Sequence, residues 1–224
     1  ITLYGGWDGT ATTPPVRNPD AHPSILDGEE ARRVAYLRGP ATVILDGVAV
    51  ANGRVFSTTT PWQGGGLYAR DVTLTLRHVD VYSNVVDVFD VPNSFSYGGG
   101  AAVEGGSLLV EESVFRRNGN WARSSSLGGG LSISGTLTAT VTASLFQEND
   151  AWNASGLYFA QRSIRRPLWI SGCAFEENGW GYSPGSAYGG YAGAVEIVRA
   201  RASLMSNRFR NNNCLLYTSP SPRD

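Results

Sequence analysis

The stretch VFRRNGNW, residues 114–121, has three echoes later in the chain. They are LFQENDAW at 145–152, AFEENGW at 174–180 and RFRNNN at 208–213. In all four, a Phe lies three residues before an Asn, and the first three continue to a Trp. A period of roughly 30 residues is typical of a repeated supersecondary unit. The chain is therefore expected to be an array of similar units.

Alignment on the asparagine extends the array to six units. The aligned anchors are Gly53, Asn84, Asn118, Asn149, Asn178 and Asn212. Successive anchors keep this period throughout the array. Positions three, five and eight residues before each anchor are mostly apolar or small, as in the TLTLRHVDV segment at 73–81. Alternation of apolar and polar residues predicts strands with one buried face.

A second strand follows a glycine cluster in each unit, beginning with the clusters at 64–66, 98–100 and 128–130. No helical segment connects these strands, so equivalent strands are expected to pair in parallel, about 4.8 Å apart. The prediction is an all-β fold, a single right-handed parallel β-helix (solenoid) over residues 1–213. About seven coils are expected, because ILDG at 25–28 recurs at 44–47. No cap is recognised at either end, so the chain is expected to be an uncapped fragment of a longer protein.

The repeated side chains have a physical explanation in such a coil. Stacked Phe rings contribute about 0.5–1.5 kcal/mol per pair beyond their burial. The asparagines at 84, 118, 149, 178 and 212 are expected to form a structural ladder at a turn. In this ladder, each amide would bond to the coils above and below.

Composition excludes several function classes. The formal net charge is -1 and no basic stripe appears, which argues against a nucleic-acid partner. All 18 basic residues are Arg, so lysine-dependent catalysis and phosphate-loop chemistry are excluded. No apolar run approaches the roughly 20 residues of a membrane-spanning helix, so no membrane insertion is expected of this segment. No cofactor is predicted.

The last eleven residues, CLLYTSPSPRD at 214–224, break the repeat. They resemble the translated read-through of a transposase adapter used in sequencing libraries. This segment is therefore predicted to be a non-native tail and is excluded from the fold argument.

The GGG…F-x-x-N units, together with the opening LYGGWDG and VILDGVAVANG segments, resemble the right-handed parallel β-helix proteins of the pectin-lyase-like superfamily. The resemblance covers about residues 1–213 and implies a secreted or cell-surface bacterial protein. That superfamily includes lyases, hydrolases, adhesins and structural stalks, so fold alone does not select an activity. The sequence departs from the family's usual calcium-binding carboxylate cluster and from its Gly-His-Gly motif.

Four acidic residues are candidates for chemistry. Glu148 and Glu177 each precede a ladder Asn, so their carboxylates would stack about 5 Å apart, a separation that retaining glycosidases use. Arg117 falls in the same column, and the alternative is a solvated charge row. Asp87 and Asp90 are candidate calcium ligands, although two carboxylates without a third are as readily ordinary loop acids.

The aromatic residues predict a binding surface. Trp121, Trp152 and Trp180 follow their asparagines by 3, 3 and 2 residues, so stacking would align three indoles along one side, near Tyr182. Such a file suits sugar rings, whose C–H faces lie on aromatic rings. The alternative is that the indoles fold back and cover a neighbouring turn.

The predicted function is a non-catalytic scaffold whose loops bind a polysaccharide or cell-surface glycan. Two alternatives stay open: a polysaccharide lyase or glycoside hydrolase, and a purely structural spacer. A convergent groove of acids, arginines and aromatic residues on one face would favour an enzyme. An isolated aromatic file would favour binding.

Overall fold

The computed structural model describes residues 1–10, 16–56, 58, 61–161, 167–179, 193–212 and 217–218. Within these ranges the chain forms 25 strands and no helix. The strands are β1 (Thr2–Tyr4), β2 (Ser24–Asp27), β3 (Ala35–Asp46), β4 (Val48–Ala51), β5 (Arg54–Phe56), β6 (Leu67–Arg77), β7 (Asp80–Tyr82), β8 (Val85–Val88), β9 (Phe95–Tyr97), β10 (Ala101–Glu104), β11 (Ser107–Glu111), β12 (Val114–Arg116), β13 (Gly119–Ala122), β14 (Ser125–Leu127), β15 (Leu131–Ser134), β16 (Thr138–Thr142), β17 (Leu145–Gln147), β18 (Asp150–Ala151), β19 (Leu157–Ala160), β20 (Leu168–Ser171), β21 (Ala174–Glu176), β22 (Val195–Val198), β23 (Ala202–Met205), β24 (Arg208–Arg210) and β25 (Tyr217–Thr218).

These strands wind into a parallel β-solenoid of about five turns, which confirms the predicted fold class. Each full turn has four faces. Face 1 contains the first halves of β3 and β6 with β10, β15, β19 and β22, and face 2 contains the second halves of β3 and β6 with β11, β16, β20 and β23. Face 3 is the sheet of β2, β4, β7, β12, β17, β21 and β24, and face 4 is the sheet of β5, β8, β13 and β18. The right-handed sense of the winding stays a prediction.

The inward side chains of face 3 stack in register from coil to coil. Phe115, Phe146, Phe175 and Phe209 follow one another with ring centroids 4.9, 4.8 and 5.0 Å apart, and adjacent ring planes lie within 9° of parallel. The first three rings are fully buried. The recurrence of Phe in the sequence therefore reflects one position of the coil, occupied once per turn.

Two corners of the coil are made by residues in the left-handed backbone region. Between faces 2 and 3 these residues are Gly47, His78, Glu112, Ala143, Gly172 and Ser206; between faces 3 and 4 they are Asn52, Ser83, Arg117, Glu148, Glu177 and Asn211. A positive φ costs a residue with a Cβ roughly 1–2 kcal/mol. The coil accepts this cost because a single left-handed residue turns the strand sharply at each corner.

The glycine clusters lie directly beside the asparagine ladder. A Cβ on Gly100 would come within 2.6 Å of the Gly130 carbonyl oxygen and 2.9 Å of the Asn118 amide carbon. Gly66 has the same relation to Asn84. Backbone bending is thus only part of the reason for these glycines, because the ladder also requires backbone without a side chain next to it.

The expected count of seven coils is wrong. In the structure, Ile25 pairs with Ala49 on face 3, whereas Ile44 pairs with Thr2 on face 2, so the two ILDG segments do not stack. The strands β1 and β2 are two successive faces of one incomplete first turn. Face 3 contains seven strands, one for each expected coil, but the first turn is incomplete, and the solenoid has about five turns.

Most of the segment 214–224 lies outside the described residues. Of this segment, Tyr217–Thr218 pairs in parallel with Glu196–Ile197 of β22.

Candidate functional site

A groove of about 740 Å³ runs along the outer side of face 1. Its floor is low because Ala102 and Ser132, which have small side chains, occupy the outward column between Tyr68 and Tyr158. Three rungs separate these two tyrosines, which corresponds to roughly 14 Å along the coil axis. The outward column therefore changes from large to small and back to large, and this change creates the concavity.

One wall of the groove comes from the segment that precedes each glycine cluster. Tyr97 belongs to β9, which pairs with β14 in a two-stranded sheet between faces 4 and 1. Its ring centroid lies 6.4 Å from that of Tyr158, and the two ring planes are inclined by 46°. Two aromatic faces therefore meet at an angle at one end of the groove, and Gln161 is also among the lining residues.

A polar cluster occupies the other end of the groove. The Tyr68 hydroxyl donates a hydrogen bond of 2.7 Å to Glu104, and Arg70 Nε lies 3.9 Å from Glu104 and 3.8 Å from Asp71. Burial, reinforced by the bond to Glu104, raises the pKa of Tyr68 well above its ordinary value. Tyr68 thus keeps its proton at neutral pH and acts as a donor, with Glu104 as the acceptor.

Glu196 follows Tyr158 in the outward column, one rung farther along. Its side chain is half-buried, and it makes no hydrogen bond or ion pair within the described ranges. Burial raises the pKa of the Glu196 carboxyl. Burial also raises the pKa of Tyr158 to about 12, helped by the negative charge of Glu196.

The predicted tryptophan file is only partly described. Trp121 is half-buried; its indole packs against Gly119 and donates a hydrogen bond of 3.1 Å to Asp150. Trp152 is half-buried on the next coil of face 4, and its backbone N–H donates to Ser126. Trp180 and Tyr182 lie outside the described residues. Trp121 therefore has the folded-back position that was the alternative to an open indole face.

The ladder asparagines are joined by hydrogen bonds throughout. Within each adjacent pair from Asn84 to Asn212, the Nδ2 and backbone N–H of one residue donate to Oδ1 of the next, at 2.9–3.1 Å. Each Nδ2 also donates to a face 3 carbonyl of the preceding coil, as Asn149 does to Phe115 at 2.8 Å. The side chains of Asn84, Asn118, Asn149 and Asn178 are buried. The asparagine ladder is therefore a structural element in the interior of the corner, shielded from solvent.

The two candidate catalytic glutamates lie on the corner between faces 3 and 4. Glu148 accepts a hydrogen bond of 2.6 Å from Arg117 Nε, so its charge is balanced by the arginine of the same column. Glu177 is half-buried one coil farther on. The corner therefore carries an Arg117–Glu148 ion pair, and a catalytic role of Glu148 and Glu177 stays a prediction.

The candidate calcium ligands do not form a cluster. Asp87 makes a 3.0 Å ion pair with Arg54 on face 4, and Asp90 is exposed in the following turn. In the described part of the chain, no group of three or more His, Cys, Asp or Glu side chains is arranged to hold a metal ion.

Sequence reasoning missed the groove, although a signal for it was present. The residue two positions after the glycine clusters is Tyr68, Ala102, Ser132 and Tyr158 in successive coils. Unlike the inward columns, this column does not repeat one residue type. Its variation was the indication that the outer surface of face 1 differs from coil to coil.

No known protein family model, curated protein or solved structure matches the chain. Within the described ranges, no helix is long and apolar enough to cross a membrane.

Proposed function

We propose that this chain is a β-solenoid segment that binds a glycan in the groove on face 1, as part of a secreted or cell-surface protein. The observation that carries the proposal is the combination of a concave floor with tyrosine rings and polar side chains. Sugars need both kinds of contact, because their C–H faces pack on aromatic rings while their hydroxyl groups require hydrogen bonds.

The groove offers both contacts within a short distance. Tyr97 and Tyr158 provide inclined aromatic surfaces, and Glu104, Gln161 and Ser132 supply donors and acceptors. The floor is built on paired strands, so these groups are held by the coil backbone before a ligand arrives. Such preorganisation reduces the entropy cost of binding.

Membership of the pectin-lyase-like superfamily is part of this proposal. It rests on the GGG…F-x-x-N units and on the solenoid fold. Secretion or cell-surface attachment, and a role in adhesion, follow from that resemblance.

A polysaccharide-cleaving enzyme is the second candidate function. It is favoured by Glu104 and Arg70, which line the groove 3.9 Å apart, together with the buried Tyr68, whose hydroxyl donates a hydrogen bond to Glu104. This is the type of convergence expected of an active site.

Calorimetric titration with soluble polysaccharides, together with an assay for new reducing ends, tests both candidates. Tyr97→Ala removes a half-buried ring and is expected to lower glycan affinity by about tenfold, since about 1.4 kcal/mol corresponds to a factor of ten. Trp169→Ala is the matched control, because Trp169 is an exposed aromatic residue on face 2, away from the groove. Circular dichroism verifies that both variants are folded.

Three other results would change the assignment. Loss of binding in Trp121→Ala or Trp152→Ala, with Tyr97→Ala unaffected, would move the site to face 4. Cleavage by the unmodified chain that disappears in Glu104→Gln, with binding retained, would establish the enzyme. Neither binding nor cleavage would leave the structural spacer.

A further inference from the structure

Glu196 differs from four other acidic residues on the outward columns of the strands. Asp80, Asp87, Glu111 and Glu176 each form an ion pair with an arginine. Within the described ranges Glu196 has no such partner, although its side chain is half-buried. Burying a carboxylate without a counter-ion costs free energy, so an unpaired acid beside a cavity is a candidate for a ligand contact.

The surroundings of Glu196 indicate the charge of that ligand. Tyr158 lies on the adjacent rung, and Tyr97 is inclined to Tyr158 at a centroid distance of 6.4 Å. The face of an aromatic ring attracts cations, and the attraction grows when water is excluded. Two tyrosine rings next to a carboxylate that has no partner among the described residues therefore form a site that complements an ammonium group.

We propose that the groove takes a glycan bearing a free ammonium group, with the cation held against Tyr97 and Tyr158 and with Glu196 as its counter-ion. This inference rests on the proposed glycan-binding function and specifies its ligand class.

The remaining charges of the groove agree with this choice. Glu104 and Asp71 share the single guanidinium of Arg70, and Arg199 is the other arginine of the lining. Glu196 lies one rung past Tyr158, at the rim and outside this lining, so the groove and its rim together carry three carboxylates and two guanidinium groups. A polyuronate would bring further negative charge to this surface and is therefore disfavoured.

The test uses the full chain and three oligosaccharide probes of equal length: oligomers of glucosamine, of N-acetylglucosamine and of galacturonic acid. Calorimetric titration near pH 6, where much of the glucosamine amine is protonated, is expected to give at least about tenfold tighter binding of the glucosamine oligomer than of its N-acetylated counterpart. Glu196→Gln removes the counter-ion while retaining the side-chain size. This variant should reduce the preference to about twofold or less while leaving affinity for the N-acetylated oligomer unchanged.

Glu148→Gln is the matched control, since it makes the same change in an acid that is already paired with Arg117. Its glucosamine preference should equal that of the unmodified chain. Equal affinities for the two glucosamine-based oligomers, tighter binding of the galacturonic acid oligomer, or an unchanged preference in Glu196→Gln would overturn the ammonium inference while leaving glycan binding intact. Failure of every polysaccharide to bind would instead contradict the proposed function itself.

Discussion

The inner column of face 3 and the outer column of face 1 belong to the same coils but obey different rules. The inner column is Leu26, Val50, Val81 and then four phenylalanines, stacked ring on ring. The outer column runs Tyr36, Tyr68, Ala102, Ser132, Tyr158, Glu196, and its members differ in size, polarity and charge.

The difference follows from what each column faces. An inward side chain has nearly the same surroundings in every turn, so one apolar residue type satisfies all of them. An outward side chain contacts loops or solvent that change from turn to turn. Repetition therefore marks the residues that hold the coil together, and departure from repetition marks the surface available for recognition.

Removal of one ring from the inner column should have the largest effect. Phe146→Ala leaves a cavity between Phe115 and Phe175, and we expect it to reduce the free energy of unfolding by about 3–5 kcal/mol. Urea denaturation followed by circular dichroism measures this loss. Trp169→Ala, which removes an exposed ring, should cost less than about 1 kcal/mol. Equal losses in the two variants would contradict the distinction between inner and outer columns.

A break in the ladder should have the next largest effect. In Asn149→Ala, the donors to Phe115 and Asn178 are lost, and the Asn118 groups that bonded to Asn149 lose their acceptor. Buried polar groups without partners cost about 1–3 kcal/mol each, so a total of about 2–4 kcal/mol is expected in urea denaturation. Gln147→Ala is the control, because this nearby amide faces outward and is not part of the ladder. A loss of more than about 0.5 kcal/mol in the free energy of unfolding of Gln147→Ala would show that the effect does not come from the ladder hydrogen bonds.

Replacement of Glu196 on the outer column should raise stability. Burial raises the folded-state pKa of this carboxyl, so the ionised form is penalised only in the folded chain. The penalty is absent below the unfolded-state pKa and is fully present once the pH exceeds the folded-state pKa. Glu196→Gln should therefore be more stable than the unmodified chain at pH 7, by up to about 1 kcal/mol, and the advantage should vanish as the pH falls toward 4. Thermal unfolding at several pH values measures this difference in stability between the two chains. A difference that grew as the pH fell would contradict a raised pKa of Glu196.

The smallest effect is expected at the corner acid Glu148. Its ion pair with Arg117 is largely exposed, and such pairs contribute roughly 0–1 kcal/mol. Glu148→Gln should change the free energy of unfolding by less than about 0.5 kcal/mol and leave glycan binding unaltered. If polysaccharide cleavage were present and this variant abolished it, the corner rather than the groove would be the active site.

The sequence predicted those features of the coil that recur with the period of the repeat. Phe146 and Asn149 occupy the same position in their unit as the Phe and Asn of the neighbouring units. Because each unit forms one turn of the coil, these residues stack on their equivalents in the adjacent turns. The groove does not follow from that repeat, because the column that contains Tyr97 pairs in register from coil to coil but consists of Gln63, Tyr97, Leu127 and Asn153, so it repeats position without repeating residue type. The first turn was misread for a related reason: two similar ILDG segments occupy different faces.

The sequence by itself determined the parallel solenoid, the phenylalanine column and the placement of one asparagine per turn at a corner. These features depend on alternation and period, which are local properties of the chain. Only the tertiary structure decided which outward residues share a concave surface and that Glu196 is half-buried beside Tyr158. Those relations depend on which side chains occupy the outward positions of neighbouring coils, and these positions repeat no single residue type, so the period of the sequence does not reveal them.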